Sequence, residues 1–277
     1  MAAKSNKGLA LREEARASAA VAVQIAEKTG ALLLEYFRSD TLRSKWKSDA
    51  SLVTEADVAA DRLIATELAA RFPQDSILSE ELAPTSDVVP TATAGRIWVV
   101  DPLDGTTNFS LGIPHWGVSI ARCDHQGADI GVLFFPALGE LYVASRGNGC
   151  LLNAEPTSVR EPSPARPVGM LASCARTPRF YNVNVPLKVR VFGSAAYTLA
   201  CVARGSAAVG IETRPRLWDL AAGWCVVEEA GGLIETMDGS RPFPIEPAQA
   251  YAARSFPLRA AASAQLLEQA REQIQPR

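Results

Sequence analysis

Histidine is almost absent from this chain: only His115 and His125 occur among 277 residues. Its five cysteines, an odd number, are scattered without a CxxC pair. Zinc sites built from Cys and His need several such ligands at close spacing, and the sequence offers none. The same dispersed count argues for reduced thiols rather than a disulfide framework. No Walker A phosphate loop and no Gly-x-Ser-x-Gly elbow is present, which removes the P-loop nucleotide hydrolases and the elbow-type serine hydrolases. Basic excess is missing too. Lys and Arg number 28 against 30 Asp and Glu, a formal charge of −2, so no nucleic-acid partner is expected. The apolar stretch from Ala19 to Ala26 is broken by Gln24 and followed by Glu27 and Lys28. That falls short of the ~20 apolar residues of a membrane span, and signal-peptide features are lacking. The expectation is a cytoplasmic protein without a membrane partner.

What the chain does have is acid in unusual places. Trp98-Val99-Val100 reads as a buried strand and runs directly into Asp101-Pro102-Leu103-Asp104-Gly105-Thr106-Thr107-Asn108-Phe109. Carboxylates are costly in an apolar interior unless a cation or dense hydrogen bonding compensates them. Pro102 fixes its own φ and biases Asp101 toward extended backbone. Gly105 permits a tight turn, after which Thr106 and Thr107 can open a helix with free amides aimed at an anion. The combination fits a divalent cation held by carboxylates beside a phosphate held by backbone N–H groups.

Around this stretch the chain alternates helices and strands. Helical periodicity runs from about Leu11 to Phe37, after a frayed tail at 1–8. Thr54-Glu55-Ala56-Asp57 is a capping box opening a helix that Pro73 stops. Ser76 to Ser79 is a strand ending in Glu80-Glu81, and 83–95 is a connection rich in Ala, Pro and Thr. An antiparallel meander follows across Trp116–Ala121, Ile130–Phe135 and Leu141–Ala144, with His115 read as a packed or capping residue. Beyond a proline-rich link at 156–167, strands are expected at Val189–Phe192, Ala207–Ile211, Leu233–Thr236 and Ala250–Ala253. Helices are expected from Gly193 to Ala203, from Leu217 to Glu229 and from about Arg259 to Ile274. The length suggests one large domain or two closely packed ones, with an α+β part at about 9–155 and an α/β part at about 168–277.

Asp57, Glu80, Asp101, Asp104 and Asp219 thus fall at strand ends or helix starts, where α/β proteins build sites. Oxygen ligands without His or Cys favour magnesium, or manganese, over zinc. An EF-hand fails, because the twelfth residue counted from Asp101 is Gly112. An aspartyl-phosphate mechanism fails on Leu103, which stands where a second acid is needed. Paired glycosidase carboxylates stay open on residue type alone, although such an enzyme has no use for a Gly-Thr-Thr anion turn.

Trp98–Phe109 together with Leu217-Trp218-Asp219-Leu220-Ala221-Ala222-Gly223 resembles the inositol monophosphatase family. Leu52–Asp57, Ser79-Glu80-Glu81 and Glu228–Gly232 support the match in the same order, over about residues 10–275. The resemblance implies an α–β–α–β–α sandwich, usually dimeric and often lithium-inhibited, that hydrolyses a small phosphate monoester with two to three magnesium ions. It implies that Glu80, Asp101 and the Leu103 carbonyl hold one ion, and that Asp101, Asp104 and Asp219 hold a second, with Glu80 near a third. Asp57 and Thr106 match the pair that activates water. Gly105, Thr106 and Thr107 match the phosphate turn, and Gly193, Ser194, Ala195, Glu212 and Asp219 the substrate contacts. Inositol 1-phosphate is the first expected substrate. Histidinol phosphate, fructose 1,6-bisphosphate and 3′-phosphoadenosine 5′-phosphate are the alternatives, and a regulatory binding protein on the same fold is the rival class. Four departures stand out: Ser51 replaces the family's aspartate, Lys47 lies one residue nearer its motif than usual, Ser194 stands where threonine is common, and Arg214-Pro215-Arg216 is unusually basic.

Overall fold

A computed structural model describes residues 2–38, 44–46, 52–81, 95–246 and 251–277. The chain opens with helix α1 (Ala2–Phe37), a pair of short antiparallel strands β1 (Ser44–Trp46) and β2 (Leu52–Thr54), and helix α2 (Glu55–Arg71). Next come β3 (Ser76–Ser79) and β4 (Ile97–Asp104), then the short helix α3 (Thr106–Ser110). The antiparallel run is β5 (Gly117–Asp124), β6 (Gly127–Phe135), β7 (Glu140–Ser145), β8 (Cys150–Leu152) and β9 (Glu155–Thr157). Strands β3 to β9 form one seven-stranded sheet in sequence order, with β3 and β4 parallel and every later pair antiparallel.

The second half supplies β10 (Met170–Ser173), α4 (Thr177–Phe180), β11 (Tyr181–Val183), β12 (Lys188–Val191), α5 (Ala195–Ala203) and β13 (Val209–Glu212). It ends with α6 (Leu217–Glu229), β14 (Leu233–Thr236), β15 (Leu258–Ala261), α7 (Ala264–Gln273) and β16 (Ile274–Pro276). A mixed five-stranded sheet runs β12–β10–β13–β15–β14, and β11 pairs with β16.

Period-two alternation in β4 explains the layering. Trp98 and Val100 face a core shared with Ile25, Leu33, Ile64 and Leu68 of α1 and α2. Ile97 and Val99 face the other way, into a core built with Leu199, Leu220 and Val226 of α5 and α6. Those two helices fill the space between the sheets, and α7 covers the outer face of the second sheet. The α–β–α–β–α order expected of the family is the observed one.

Four expectations are corrected. Helix α1 begins at Ala2, so residues 2–8 continue the helix instead of fraying. Tyr251–Ala253 form a 3-10 turn rather than a strand. The missing strand is β15, Leu258–Ala261, whose Ala-rich sequence looks like a helix start yet sits buried between β13 and β14. Finally, Arg12–Phe37 is long and apolar enough to cross a membrane by length and composition. Its Ala15, Ala19, Ala22, Ile25 and Leu33 are buried in the core, as in a packed helix of a globular domain.

A second buried charge cluster lies at the end of the sheet where β4 begins. Arg122, opposite Trp98 in the β4–β5 register, is 0% exposed. Its guanidinium donates to Asp129 at 2.6 Å, Glu14 at 2.8 Å and the Ser18 hydroxyl at 2.9 Å. Arg96 grips the same Glu14 from outside. Every nitrogen of the Arg122 fork therefore has an acceptor.

Candidate active site

Three elements deliver acid to one point. The register of β4 with β5 shifts between Asp101 and Asp104, breaking the ladder just where the carboxylates emerge. On the other side of β4, Ser79 pairs with Val100 and the Glu80 amide donates to the Val100 carbonyl at 3.2 Å, which sets Glu80 beside Asp101. From across the core comes the start of α6. Ser119, opposite Asp101, donates to the Trp218 carbonyl at 3.3 Å, and the Asp219 carboxylate accepts from the Arg216 amide at 2.7 Å. As a result, one carboxylate oxygen each from Glu80, Asp101 and Asp219 lies within 4.8 Å of the others.

Two of the three resist ionisation. Burial, then the charges of Glu80 and the other neighbouring acids, push the Asp101 and Asp219 carboxyls well above the usual carboxylate range. Among the described residues, no Lys or Arg forms an ion pair with Asp101, Asp104 or Asp219. Clustered hard oxygens that repel one another fit a magnesium-like cation, whose charge reverses the balance.

Asp104 stands apart from the trio. Its carboxylate accepts from the Ser194 hydroxyl and from the amides of Ala195 at 3.2 Å and Ala196 at 3.0 Å, at the start of α5. Burial raises its pKa to about 6 against these favourable bonds. The Leu103 carbonyl faces the Thr106 hydroxyl at 3.1 Å.

Asp57 and Thr106 do meet. The Thr106 hydroxyl has two acceptors in reach, Asp57 Oδ1 at 3.0 Å and the Leu103 carbonyl. The other Asp57 oxygen closes the capping box, accepting from the Thr54 amide at 2.8 Å and from the Thr54 hydroxyl. Burial raises the Asp57 pKa, while its Thr54 and Thr106 donors oppose the rise. Asp57 is thus both helix cap and partner of Thr106. Gly105, at φ 87°, makes the turn into α3, and a Cβ there would lie 2.8 Å from the His115 carbonyl. The amides that follow it belong to the first turn of α3 and have no intrahelical acceptor.

A cavity of about 450 Å³ opens beside Asp219, lined by Thr107, Gly193, Ser194, Ala195, Glu212 and further residues of the β10 and β13 ends. Gly193 takes φ 74°, and a Cβ there would meet the Asn108 amide at 2.9 Å. Glu212 is buried and accepts from the Thr198 hydroxyl at 2.7 Å, and burial pushes its carboxyl well up.

Some residues of this site escape a sequence reading. Asn108 donates to the carbonyls of His115 at 2.7 Å and Phe192 at 2.6 Å, stapling the Gly105–Thr107 turn to the Gly193 loop. Its position directly after Thr-Thr was the available signal. Cys174 and Arg176 also line the cavity, and no local pattern marks them. Arg214 lines it as well, whereas Arg216 sits at the entry to α6 outside it. His115 packs against the rings of Phe192 and Tyr197, a packed residue as expected, its pKa lowered by burial. Lys47 and Ser51 lie outside the described residues, as does most of the 83–95 connection.

A model of the inositol monophosphatase family matches residues 14–275. The chain belongs to the inositol monophosphatase family. It is similar to a histidinol-phosphatase from Chlorobaculum parvum, 37% identical over 76% of this chain and 83% of that one. A protein named fructose-1,6-bisphosphatase/inositol-1-monophosphatase from Thermotoga maritima is 32% identical over 78% and 84%. A Nus factor SuhB from Pasteurella multocida is 31% identical over 80% and 86%. Among solved structures, the extragenic suppressor protein SuhB of Bartonella henselae superposes with TM-score 0.75 at 29% identity, over 91% of this chain and 96% of that one. Family and phosphatase relatives together make the chain a phosphoric monoester hydrolase.

Proposed function

We propose that this family member hydrolyses the phosphate monoester of a small polyol, with inositol 1-phosphate as the first substrate to test. The observation that carries the reading is the convergence of Glu80, Asp101 and Asp219 within 4.8 Å, next to the Asp57–Thr106 pair. Glu80, Asp101, the Leu103 carbonyl, Asp104 and Asp219 are the proposed ligands of two to three magnesium ions. Once bound, such cations supply charge neutralisation around the phosphate and a lowered pKa for water.

The chain's own groups do the rest. A phosphate monoester dianion has little intrinsic reactivity, so positioning and charge stabilisation dominate. The turn amides at Gly105, Thr106 and Thr107 hold phosphate oxygens. Thr106 Oγ1 accepts a proton from the attacking water as its own proton passes to Asp57 Oδ1, 3.0 Å away. A raised pKa suits Asp57 to that receiving role. The new P–O bond forms in line with the ester bond that breaks, and the departing oxygen leaves beside Asp219 and takes its proton from solvent water. Gly193, Ser194, Ala195 and Glu212 face the alcohol's hydroxyls in the adjoining cavity.

Purified protein should hydrolyse inositol 1-phosphate only with magnesium, and activity should fall again at high magnesium or with lithium. A homodimer in the cytoplasm is part of this proposal. The relative named Nus factor SuhB favours one second reading, a binding role on the same fold. Asp104→Asn separates the two, because a phosphatase loses turnover while a pure scaffold keeps its binding.

A further inference from the structure

Helix α2 buries two aspartates, and the proposed reaction uses one of them. Asp57 partners Thr106, whereas Asp61, four positions on and 0% exposed, has no part in the chemistry described so far. Residues four apart share a helix face, so the two carboxylates leave α2 on the same side. Aspartate is a poor helix former and is costly to bury beside core residues such as Ala60, Ile64 and Leu68 of the same helix. Its printed partner lies outside the helix. The Asp61 carboxylate accepts a hydrogen bond from the hydroxyl of Ser79, which is buried and is the last residue of β3. The residue after Ser79 is Glu80.

We infer that Asp61 is a positioning residue for the cation site: through Ser79 it fixes the backbone that presents Glu80 to Asp101 and Asp219. This rests on the ligand set of the proposed reaction and adds a residue that supports it. Strand β3 has four residues and lies at the edge of its sheet, and among the described residues it pairs with β4 alone. On that side the Glu80 amide is tied to the Val100 carbonyl at 3.2 Å. A short strand end held along one ladder can swing about it, and the side chain just beyond swings furthest. The Ser79–Asp61 bond supplies the second hold, from a different direction. Helix α2 suits that task because it is seated on β4, the strand that carries Asp101, with Ile64 and Leu68 in one core with Trp98 and Val100. A single turn of α2 thus sets both the Asp57–Thr106 pair and the end of β3 against the same strand. Magnesium demands short, near-octahedral ligand geometry, and removing the groups that orient a ligand typically weakens metal binding by about 10- to 100-fold.

The test is a magnesium titration of the full chain, read twice: calorimetric binding of magnesium alone, and the magnesium dependence of inositol 1-phosphate turnover. The native chain is compared with Asp61→Ala, Ser79→Ala and the double variant. Asp61→Asn keeps an acceptor for the Ser79 hydroxyl, and Ser79→Thr keeps the hydroxyl. Each Ala variant should bind magnesium at least about tenfold more weakly and need correspondingly more of it for half-maximal turnover. KM for inositol 1-phosphate at saturating magnesium should stay at its native value, because the substrate contacts are untouched. The double variant should be no worse than either single one, since both break the same bond. Asp61→Asn and Ser79→Thr should recover most of the affinity. A bond that serves stability alone would lower Tm and leave the magnesium constant of the folded protein where it was. Native magnesium affinity in the folded Ala variants, or losses that add in the double variant, overturns the inference. Should Asp61→Ala fail to fold, Ser79→Ala and Ser79→Thr decide it alone. Weakened magnesium binding in a chain that hydrolyses no phosphate monoester sinks the phosphatase reading and keeps the positioning role; magnesium-dependent turnover with an unshifted constant in the Ala variants does the reverse.

Discussion

The central sheet buries charge at both ends of β4, and the two ends are built on opposite terms. Where the strand begins, Arg122 is enclosed by Asp129, Glu14 and Ser18, which between them accept from all three of its nitrogens. Where it ends, Asp101 and Asp219 crowd against Glu80, and burial, then like charge, pushes the first two carboxyls up. The first cluster is complete in the protein alone. The second becomes electrically reasonable only when a cation arrives. A buried polar group satisfied by its own fold serves structure, and one left wanting by its fold points to a ligand.

Substitutions should separate the ends in opposite directions. Asp101→Asn should lower kcat by at least about 10²–10³-fold. It should also raise the stability of the metal-free chain by about 0.5–2 kcal/mol, because it removes a repelled carboxylate. Steady-state kinetics and a melt in chelator read the two effects. At the other end, Arg122→Met should cost about 3–5 kcal/mol, because it strands Asp129 in the interior. Denaturant unfolding measures that loss, and the protein that remains folded should keep its turnover. A smaller effect concerns proton transfer alone. Thr106→Ala should lose about 10²-fold in kcat, at the low end of general acid–base effects, with Thr106→Ser restoring most of it.

Acidity offers a subtler way to sharpen the contrast. The folded chain holds the Asp104 carboxyl at about 6, above its ordinary 3.8, chiefly through burial. Between those values the folded state binds more protons than the unfolded one, so this group's contribution to metal-free stability falls as pH rises through the window. Asp101 and Asp219 act in the same sense. Glu14, held low chiefly by its arginine partners against burial, acts oppositely and loses its contribution as pH falls. On the proposed ligand set, magnesium competes with protons at Asp101, Asp104 and Asp219 and not at Glu14. The Tm gain from magnesium should therefore be larger at about pH 7.5 than at about pH 5.5, and scanning calorimetry with and without chelator measures it. The smallest effect belongs to Ser194→Ala, which removes the cap of α5 and one donor to Asp104, for about 1 kcal/mol.

Much of this was legible in the sequence, and the boundary is physical. Local grammar declares itself: a strand that runs into Asp-Pro-Leu-Asp-Gly, a capping box at Thr54–Asp57, a helix that opens on Leu-Trp-Asp. Each is decided by a few adjacent residues, so each can be read. What cannot be read is decided across the chain. Leu258–Ala261 is a strand because β13 and β14 enclose it, although its own composition favours helix. Arg122 and Glu14 are 108 positions apart, and nothing near either one forecasts the pair. Arg176 joins the cavity because β10 lies beside β13, a fact of topology. Asp104 shows the same limit inside a recognised motif, since its contact with Ser194 spans 90 positions.

The most direct measurement is inositol 1-phosphate turnover by chelator-stripped protein as magnesium is added back, beside calorimetric binding of the same ion. The account predicts no turnover in chelator, recovery with magnesium, and loss of both binding and recovery in Asp101→Asn. Undiminished hydrolysis in chelator, or full magnesium binding by that variant, would contradict it.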